Sequence, residues 1–473
     1  MSTSVSAEGS RTAAQADAGV GPVSAPGSTA LDRIGIPHVL RYGFLGLLLL
    51  MTAVGIESNF LEPHMSQVLS TSGTTVAAIV TWHNLAVAIA SYLGGALADL
   101  FGPKRVMVLG AVIWVIFHVL FLVALEAGSL ELAAAAYFAR GFGFPLFAFA
   151  FIVWIAAVAP NQRRSTAIGW FYVMYTGGLP TLGSLIAIGA IPAFGGGGVG
   201  GPGETGALWL ATGIAVLGFL IAHFGVREQR GTRRLAPAGE TATQVLTAGV
   251  RLTATNGKIL MGFLIRLINT APQFGMFIVL PAVMYAGDES LGWSQSQYLS
   301  MTVAVFATNI LVNAVFGAVG DRWGWRRTVK WFGITGSALG LLAWWYVPHL
   351  LPQDTTWGYL VAVVAGCLFG CMLAGFVPMG AIMPALTPDH KGAAMAMYTT
   401  AAGGAIFLGT AVVWLVRQIS DLVGLEDAFT INSITVWVFV ALYACAFVMI
   451  DRLRVVEDEH REKHGKLFGG RAH

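Results

Sequence analysis

A stripe of polar residues recurs at helical spacing inside an otherwise apolar stretch of the chain. The residues stand at positions i, i+3, i+4 and i+7 of one helix face and are Arg266, Asn269, Thr270 and Gln273. Their guanidinium, amide and hydroxyl groups can form hydrogen bonds with a small polar ligand. Because polar groups are costly against lipid, we expect the stripe to face a central cavity or a neighbouring helix.

Amide and aromatic side chains in other apolar stretches are further candidates for contacting such a ligand. Asn309 and Asn313 lie one helical turn apart on one face of their segment. Tyr172, Tyr175 and Trp82 could offer hydroxyl groups and aromatic faces. For each amide, hydrogen bonding between two helices is the alternative interpretation.

Two charged residues lie deep in separate apolar segments. Counting the helical rise, Glu57 lies about 9 Å and Arg140 about 12 Å from the outer ends of their predicted helices. An isolated charge at this depth would be costly, so we predict an ion pair. A carboxylate that alternates between pairing and protonation could couple proton movement to a conformational change. The alternative is a permanent bridge that only fixes the packing.

Two histidines in apolar segments, His83 and His118, are further candidate proton carriers. An unperturbed imidazole titrates near neutral pH and can therefore accept and release protons under physiological conditions. The alternative is that each histidine is a hydrogen-bonded packing residue.

The amino-acid composition indicates that much of the protein surface faces lipid. Of the 473 residues, 56% are hydrophobic and 11% are charged, whereas roughly 25% are charged in soluble domains. The three cysteines lie in apolar runs and lack the spacing of metal ligands or of a disulfide framework. The sequence contains no nucleophile–base pair, metal-ligand cluster or phosphate-binding loop. We therefore predict an all-α membrane protein that is not an enzyme and uses no cofactor, metal or nucleic acid.

Twelve segments are long and apolar enough to cross a membrane as helices. Each has about 20 predominantly apolar residues, the length that spans roughly 30 Å of hydrocarbon. The predicted spans are 42–62, 75–98, 106–126, 132–158, 166–191, 206–225, 259–285, 297–318, 329–348, 358–384, 392–416 and 431–450.

Lysine and arginine set the predicted orientation. Arg140 and Arg266 lie within spans and Arg417 in an outward loop, which leaves 24 of the 27 basic residues for the cytoplasmic side if both termini are cytoplasmic. The chain then divides into a disordered cytoplasmic tail (1–38), two six-helix bundles (39–226 and 259–451), a basic cytoplasmic linker (227–258) and a second tail (452–473). We expect a multi-pass protein of the cell membrane.

A loop motif is repeated at a constant offset of 222 residues. The sequence GALADLFGPKR at 95–105 matches GAVGDRWGWRR at 317–327 in its glycines, its aspartate and its two final basic residues. A second echo links PNQR at 160–163 with PDHK at 388–391. The aspartate and the basic residues of these loops could form a charged clasp that holds the cytoplasmic ends of the two halves together and acts as a gate. The alternative is that the charges only set the orientation of the helices in the membrane. The gate candidates are Gly95, Asp99, Gly102, Lys104, Arg105, Arg163, Gly317, Asp321, Gly324, Arg326, Arg327 and Lys391.

The repeated loop resembles the signature loop of the major facilitator superfamily. That resemblance implies two six-helix bundles related by a pseudo-twofold axis along the membrane normal, with a binding site between them. Longer runs resemble a narrower group, the polyol permease family, and include FHVLFLV at 117–123, RGFGFPLF at 140–147, GALWLA at 206–211, RLINT at 266–270 and HKGAA at 390–394. The chain departs from that family at Val54, where the family has an acidic residue.

The narrower resemblance implies uptake of a small sugar alcohol, such as ribitol or arabinitol, together with protons. The expected partners are a polyol, protons and the lipid bilayer, and we expect a monomer. A proton-coupled symporter of organic anions is the alternative, because two membrane arginines could bind a carboxylate. A receptor built on a transporter fold is a remoter alternative.

Overall fold

Twelve helices make up the body of the protein. The structure, a computed structural model, describes residues 29–459 apart from 59, 160–163, 237, 238, 240, 287–289, 353, 354, 388–390, 456 and 457. Five helices contain a break or a short stretch of π- or 3₁₀-helix, which is why several segments belong to one label. The helices are α1 (Arg41–Glu57), α2 (Gly73–Phe101), α3 (Pro103–Glu126), α4 (Leu130–Arg140, Gly143–Val158), α5 (Arg164–Thr176, Gly177–Leu182, Gly183–Ala193), α6 (Pro202–Gly225), α7 (Gly257–Pro281, Ala282–Ala286), α8 (Gln295–Trp323), α9 (Trp325–Thr328, Val329–Gly336, Ser337–Leu350), α10 (Thr356–Leu373, Ala374–Phe376, Met379–Ala385), α11 (Lys391–Val423) and α12 (Ala428–Ile450).

The predicted all-α fold with twelve membrane helices is confirmed. Within the described part of the chain, eleven of the helices are long and apolar enough to cross a membrane. The remaining one, α9, runs without interruption from Trp325 to Leu350. It is less apolar because it carries Lys330 near one end and tryptophan, tyrosine and histidine near the other, residue types that favour the two membrane–water interfaces.

The two bundles repeat the same packing with an offset of six helices. In the first bundle α1 packs against α5 and α6, and α4 packs against α2 and α3. In the second bundle α7 packs against α11 and α12, and α10 packs against α8 and α9. The bundles meet where α2 packs against α11 and where α5 packs against α8. This is the pseudo-twofold arrangement that the repeated loop predicts.

Glycine closes the repeated loop in the same way in both bundles. Gly102 ends α2 with φ +92°, and Gly324 ends α8 with φ +117°. Residues with a side chain rarely adopt these angles, so both positions favour glycine. The sequence repeat is therefore also a repeat of backbone conformation.

Three predicted boundaries were wrong. The first span ends at Glu57 and not at 62, because the chain breaks there and continues as a separate short helix, Leu61–Val68. Helix α11 extends to Val423, so Arg417 lies in a helix and not in a loop. Part of the predicted disordered tail is ordered: Ala30–Arg33 is helical, and Asp32 bonds to His38 at 2.9 Å.

Two further helices stand between or beside the bundles. The linker contains Ala242–Thr255, which begins with a capping box between Thr241 and Gln244 and packs against α2 and α11. Leu61–Val68 lies at the opposite end of the molecule. We name the end with the linker and the repeated loops the basic face, and the end with Leu61–Val68 the acidic face.

Candidate functional site

A cavity of about 100 Å³ lies between the two bundles in the half of the molecule toward the acidic face. Both bundles contribute to its wall. Its polar lining consists of Glu57, Ser58, Glu62, His83, Asn84 and Thr410. Phe274 and Phe277 of α7 supply part of the apolar lining. The cavity therefore combines hydrogen-bonding groups with aromatic faces, the combination that binds small polar molecules.

Glu57 and Arg140 form the expected ion pair at the edge of this cavity. One guanidinium nitrogen of Arg140 donates to Glu57 Oε2 at 2.8 Å, and the other donates to Oε1. The exposed fractions of Glu57 and Arg140 are 3% and 1%, so little water screens the pair. Each residue is the last of its helical segment, where the chain breaks before it continues. The bidentate geometry holds the carboxylate in one orientation.

His118 on α3 completes the coordination of Arg140. Its Nδ1 lies 2.6 Å from Arg140 Nη1, and its Nε2 lies 3.3 Å from the carbonyl oxygen of Leu208. Arginine can only donate hydrogen bonds, so Nδ1 must accept and the ring proton must be on Nε2. This arrangement fits a neutral imidazole, stacked on Trp114 with ring centroids 4.4 Å apart.

His83 on α2 joins the same cluster from the other side. Its Nδ1 lies 2.5 Å from the carbonyl oxygen of Tyr137, and its ring stacks on the Tyr137 ring. The guanidinium carbon of Arg140 lies 4.4 Å from the centre of the same tyrosine ring. Gly141 allows this approach, because a Cβ at that position would lie 2.5 Å from the His83 carbonyl oxygen. The four predicted proton-coupling candidates, from four different helices, therefore lie in one cluster.

The second membrane arginine has a different environment. Arg266 donates to Asn269 Oδ1 at 2.8 Å and to Thr270 Oγ1 at 3.4 Å, both on its own helix. Its guanidinium carbon lies 5.0 Å from the centre of the Tyr398 ring. Among the described residues, no carboxylate forms an ion pair with it. Arg266 is 11 residues from Phe277 along α7, or about 16 Å nearer the basic face.

Tyrosines from the first bundle approach Arg266 across the interface. The charge of Arg266 acts on the hydroxyl groups of Tyr172 and Tyr175, both on α5. Three buried polar atoms in this region have no hydrogen-bond partner within the described residues: the Tyr172 hydroxyl, Asn269 Nδ2 and Arg266 Nε. Unpaired donors and acceptors inside a protein are costly, so they mark a place where a ligand could bind.

The predicted polar stripe lies inside the protein but does not line the cavity described above. Asn269 and Gln273 are buried and Arg266 is half-buried, so none faces lipid. The wall of the cavity is instead formed by residues farther along α7, beginning at Phe274. The backbone carbonyl of Asn269 also accepts a bond from Tyr443 of α12 at 2.8 Å.

The structure places three other candidates away from both polar regions. Asn309 Nδ2 donates to the carbonyl oxygen of Gly370 at 2.8 Å and thereby joins α8 to α10 within one bundle. Asn313 bonds to Asn309. Trp82 is 52% exposed on the outer surface of α2, on the face that carries exposed Ile89. The alternative of bonding between helices describes the contact of Asn309, whereas Asn313 bonds within its own helix.

Two of the described gate candidates bond within their own bundle, and a third contacts the linker. Lys104 Nζ donates to the Val226 carbonyl oxygen at 2.6 Å, and Arg326 Nη1 donates to the Asp451 carbonyl oxygen at 3.0 Å. The carbonyl oxygen of Asp99 accepts from the backbone of the linker at Leu235. Arg163 and the side chains of Asp321 and Lys391 lie outside the described residues. These contacts brace each bundle on the basic face, and a clasp between the two bundles stays a prediction.

Bonds between the bundles are found toward the acidic face instead. Arg417 donates to Glu62 at 2.6 Å, Thr74 to Asp421 at 3.0 Å, and Gln295 to Glu204. Sequence analysis missed these residues, and it also missed Tyr398 and Thr410. One signal was available: Arg417 is the single basic residue predicted on the outward side, and it lies near predicted acidic loops.

Comparison with known proteins agrees with this architecture. The family model of the Major Facilitator Superfamily matches residues 43–410 and 262–471. The chain is 32% identical to a D-arabinitol transporter of Klebsiella pneumoniae, over 89% of this chain and 94% of the relative. It is 32% identical to a ribitol transporter of the same organism, over 93% and 97%. An alpha-ketoglutarate permease of Bacillus subtilis is 31% identical, over 87% and 88%.

A solved structure shares the fold. The crystal structure of a D-xylose-proton symporter superposes with a TM-score of 0.68 at 17% identity and covers 89% of this chain and 98% of the symporter. The matched relatives are transporters and permeases and not enzymes. With the sequence match to the family model and the twofold arrangement of twelve helices, this shows that the chain belongs to the major facilitator superfamily of membrane transporters.

Proposed function

We propose that the protein imports a small sugar alcohol, such as ribitol or arabinitol, together with protons by alternating access. The basic face would then be cytoplasmic, in agreement with the distribution of lysine and arginine. Two relatives over most of the chain are transporters of such polyols. The bonds between bundles toward the acidic face correspond to a state that is closed on that side.

The observation that carries the proposed coupling is the placement of Glu57. Its two oxygens bind Arg140, and the residue also lines the cavity between the bundles. A proton that reached Glu57 from this cavity would neutralise the carboxylate and weaken its bonds to Arg140. Because the two residues belong to α1 and α4, this step would change the relative stability of the two transporter conformations.

The Arg266 region is the proposed substrate site. A polyol hydroxyl can donate to the Tyr172 oxygen and accept from Asn269 Nδ2 or Arg266 Nε, the three atoms without partners. The ring of Tyr398 offers an apolar face to the carbon chain. Residues of both bundles contact this region, so a bound substrate would respond to their relative movement.

Uptake by purified protein in proteoliposomes tests the coupling. With an inward proton gradient, we expect wild-type protein to concentrate labelled ribitol or arabinitol, and Glu57→Gln to lose accumulation while retaining exchange of internal for external substrate. Glu126→Gln is a matched control, because it is the same substitution at an exposed residue outside the cluster. The Glu126 side chain accepts a hydrogen bond from Trp209. Gradient-driven accumulation by the Glu57→Gln variant would contradict the proposal.

A symporter of organic anions is the second candidate, and one observation favours it. Arg266 carries a positive charge without a paired carboxylate among the described residues, which is a suitable environment for an anionic substrate. One relative is an alpha-ketoglutarate permease. Competition of labelled ribitol uptake by unlabelled ribitol and by alpha-ketoglutarate separates the candidates: we expect ribitol to compete and the dicarboxylate to have little effect.

A further inference from the structure

Glu62 stands between two cavities. It lines the cavity that contains Glu57, and it also lines a second cavity of about 380 Å³ nearer the acidic face, together with Asp421 and Glu426. No other acidic residue is shared by the two linings. A group exchanged between the two cavities therefore passes next to this carboxylate.

The two oxygens of Glu62 have different environments. Oε1 accepts a bond of 2.6 Å from Arg417 of α11, which links the first bundle to the second. Oε2 is buried and has no hydrogen-bond partner among the described residues. The residue as a whole is 8% exposed. An unpartnered carboxylate oxygen at such a site is costly, and a proton on this oxygen would remove part of that cost.

The charged and titratable groups around Glu62 come from several elements. Burial raises the pKa of the Glu62 carboxyl above its ordinary value, against the opposing effect of Arg417. Tyr285 at the end of α7 interacts with it electrostatically. The groups that share a cavity lining with it are Asp421 of α11, Glu426 before α12, Glu57 of α1 and His83 of α2. The neighbouring acids disfavour a negative charge on Glu62, whereas Arg417 favours it.

The short helix Leu61–Val68 connects this carboxylate to a second contact between the bundles. His64 bonds to Glu204 at 2.8 Å, and Glu204 in turn accepts from Gln295 of α8. Arg417 also donates to the Gly73 carbonyl oxygen at 3.2 Å. If Glu62 were neutral, its Oε1 could still accept a hydrogen bond from Arg417, but both of these bonds of the arginine would then go to neutral oxygens. The closed acidic face would lose the charge–charge attraction of this contact.

We propose that Glu62 is a second proton-binding site, between the acidic face and Glu57, and that its protonation weakens the contact with Arg417 and favours opening of the acidic face. The proton would bind at Oε2, and the ion pair between Glu62 and Arg417 would become a weaker hydrogen bond from the guanidinium to the neutral Oε1. This inference rests on the proposed function only in taking the proton as the coupled ion. Opening and proton loading would then be one event.

Chemical labelling of a cavity residue tests the opening without substrate or gradient. Ser58 directly follows α1 and lines the deeper cavity, and its hydroxyl donates to the Val54 carbonyl oxygen at 3.0 Å. In a background with Cys367, Cys371 and Cys445 replaced by alanine, Ser58→Cys would be reacted with a charged maleimide in sealed vesicles of both orientations. We expect labelling from the acidic face to be about tenfold or more faster at pH 5 than at pH 8.

Variants identify the responsible group. With Glu62→Gln, we expect fast labelling at both pH values, because glutamine imitates the protonated carboxyl. Arg417→Gln should also label fast at both pH values, and it serves as a second route if Glu62→Gln does not fold. Glu426→Gln and His64→Asn should keep the pH response of the parent, since neither removes the Glu62–Arg417 pair.

Slow labelling of Glu62→Gln at pH 8 would overturn the inference, and so would a pH response that survives in that variant. Loss of the response in His64→Asn alone would assign the proton to the histidine and would also overturn it. Because the measurement needs no solute, a failure of polyol uptake would leave the labelling result intact and would count only against the proposed function.

Discussion

The two arginines inside the membrane helices, Arg140 and Arg266, differ in burial and in the charge of their hydrogen-bond partners. Arg140 is fully enclosed, and its charge is balanced by Glu57, with His118 as an additional acceptor. Arg266 is half-buried, and its bonds go to neutral groups of its own helix. A balanced buried pair can switch when one partner is protonated, whereas an unbalanced charge attracts oxygen atoms of a ligand. The contrast separates a region suited to coupling from one suited to binding.

This difference also shows where the twofold repeat ends. The loops at Gly102 and Gly324 have the same backbone conformation, and the helices of the two bundles pack in the same order. The charged residues do not follow the repeat, because Arg140 lies on the fourth helix of its bundle and Arg266 on the first helix of the other. The scaffold is symmetric, and the chemistry is asymmetric.

The largest effect is expected when the balanced pair is broken. Arg140→Gln leaves Glu57 buried without its partner, which should lower the free energy of unfolding by about 3–5 kcal/mol and abolish uptake. Thermal unfolding in detergent measures the loss. The double variant Glu57→Gln/Arg140→Gln should regain much of the stability. A double variant that is no more stable than Arg140→Gln alone would show that the two residues do not act as a pair.

A smaller effect is expected for Arg266, whose charge has no carboxylate partner among the described residues, and it should change substrate binding. Arg266→Gln removes charge-assisted hydrogen bonds to the substrate, each of which contributes about 1.5–3 kcal/mol, so KM should rise by about tenfold to a hundredfold. Stability should change little, because no carboxylate loses its partner. Initial uptake rates over a range of substrate concentrations give KM. An unchanged KM with a lower melting temperature would place Arg266 in packing instead.

His118 tests whether the second acceptor of Arg140 also carries protons. Because Nδ1 accepts from arginine, we expect the ring to stay neutral and to act as a structural acceptor. His118→Gln should cost about 1–3 kcal/mol of stability but preserve accumulation driven by a pH gradient. The measurements are thermal unfolding and proteoliposome uptake. Accumulation that disappears in a well-folded variant would instead make His118 part of the proton pathway.

The smallest effect is expected outside both regions. Asn309→Ser removes the bond to Gly370 and should cost about 1 kcal/mol of stability, with KM unchanged. Trp82→Phe, on the exposed surface of α2, is the matched control and should change neither quantity. A clear rise in KM for the Asn309 variant would extend the binding region to α8.

Several features could be predicted from the chain alone because they depend on local composition. Apolar length determines the number of spans, since each must cross the hydrocarbon and satisfy its own backbone hydrogen bonds. The repeat at 95–105 and 317–327 is visible without coordinates. Glu57 and Arg140 could be selected because charges are rare in such segments, although the end of α1 at Glu57 was not foreseen.

Only the tertiary structure decides which residues from distant segments contact each other. The sequence alone treats Asn269 and Asn309 alike, but one faces Arg266 and the other bonds to Gly370. Likewise, Glu62 and Arg417 are 355 positions apart and become partners because α11 and the short helix after α1 meet toward the acidic face. Hydrophobic pattern determines that a helix forms and spans, whereas the partner of a polar side chain depends on the rotation and neighbours of each helix after packing.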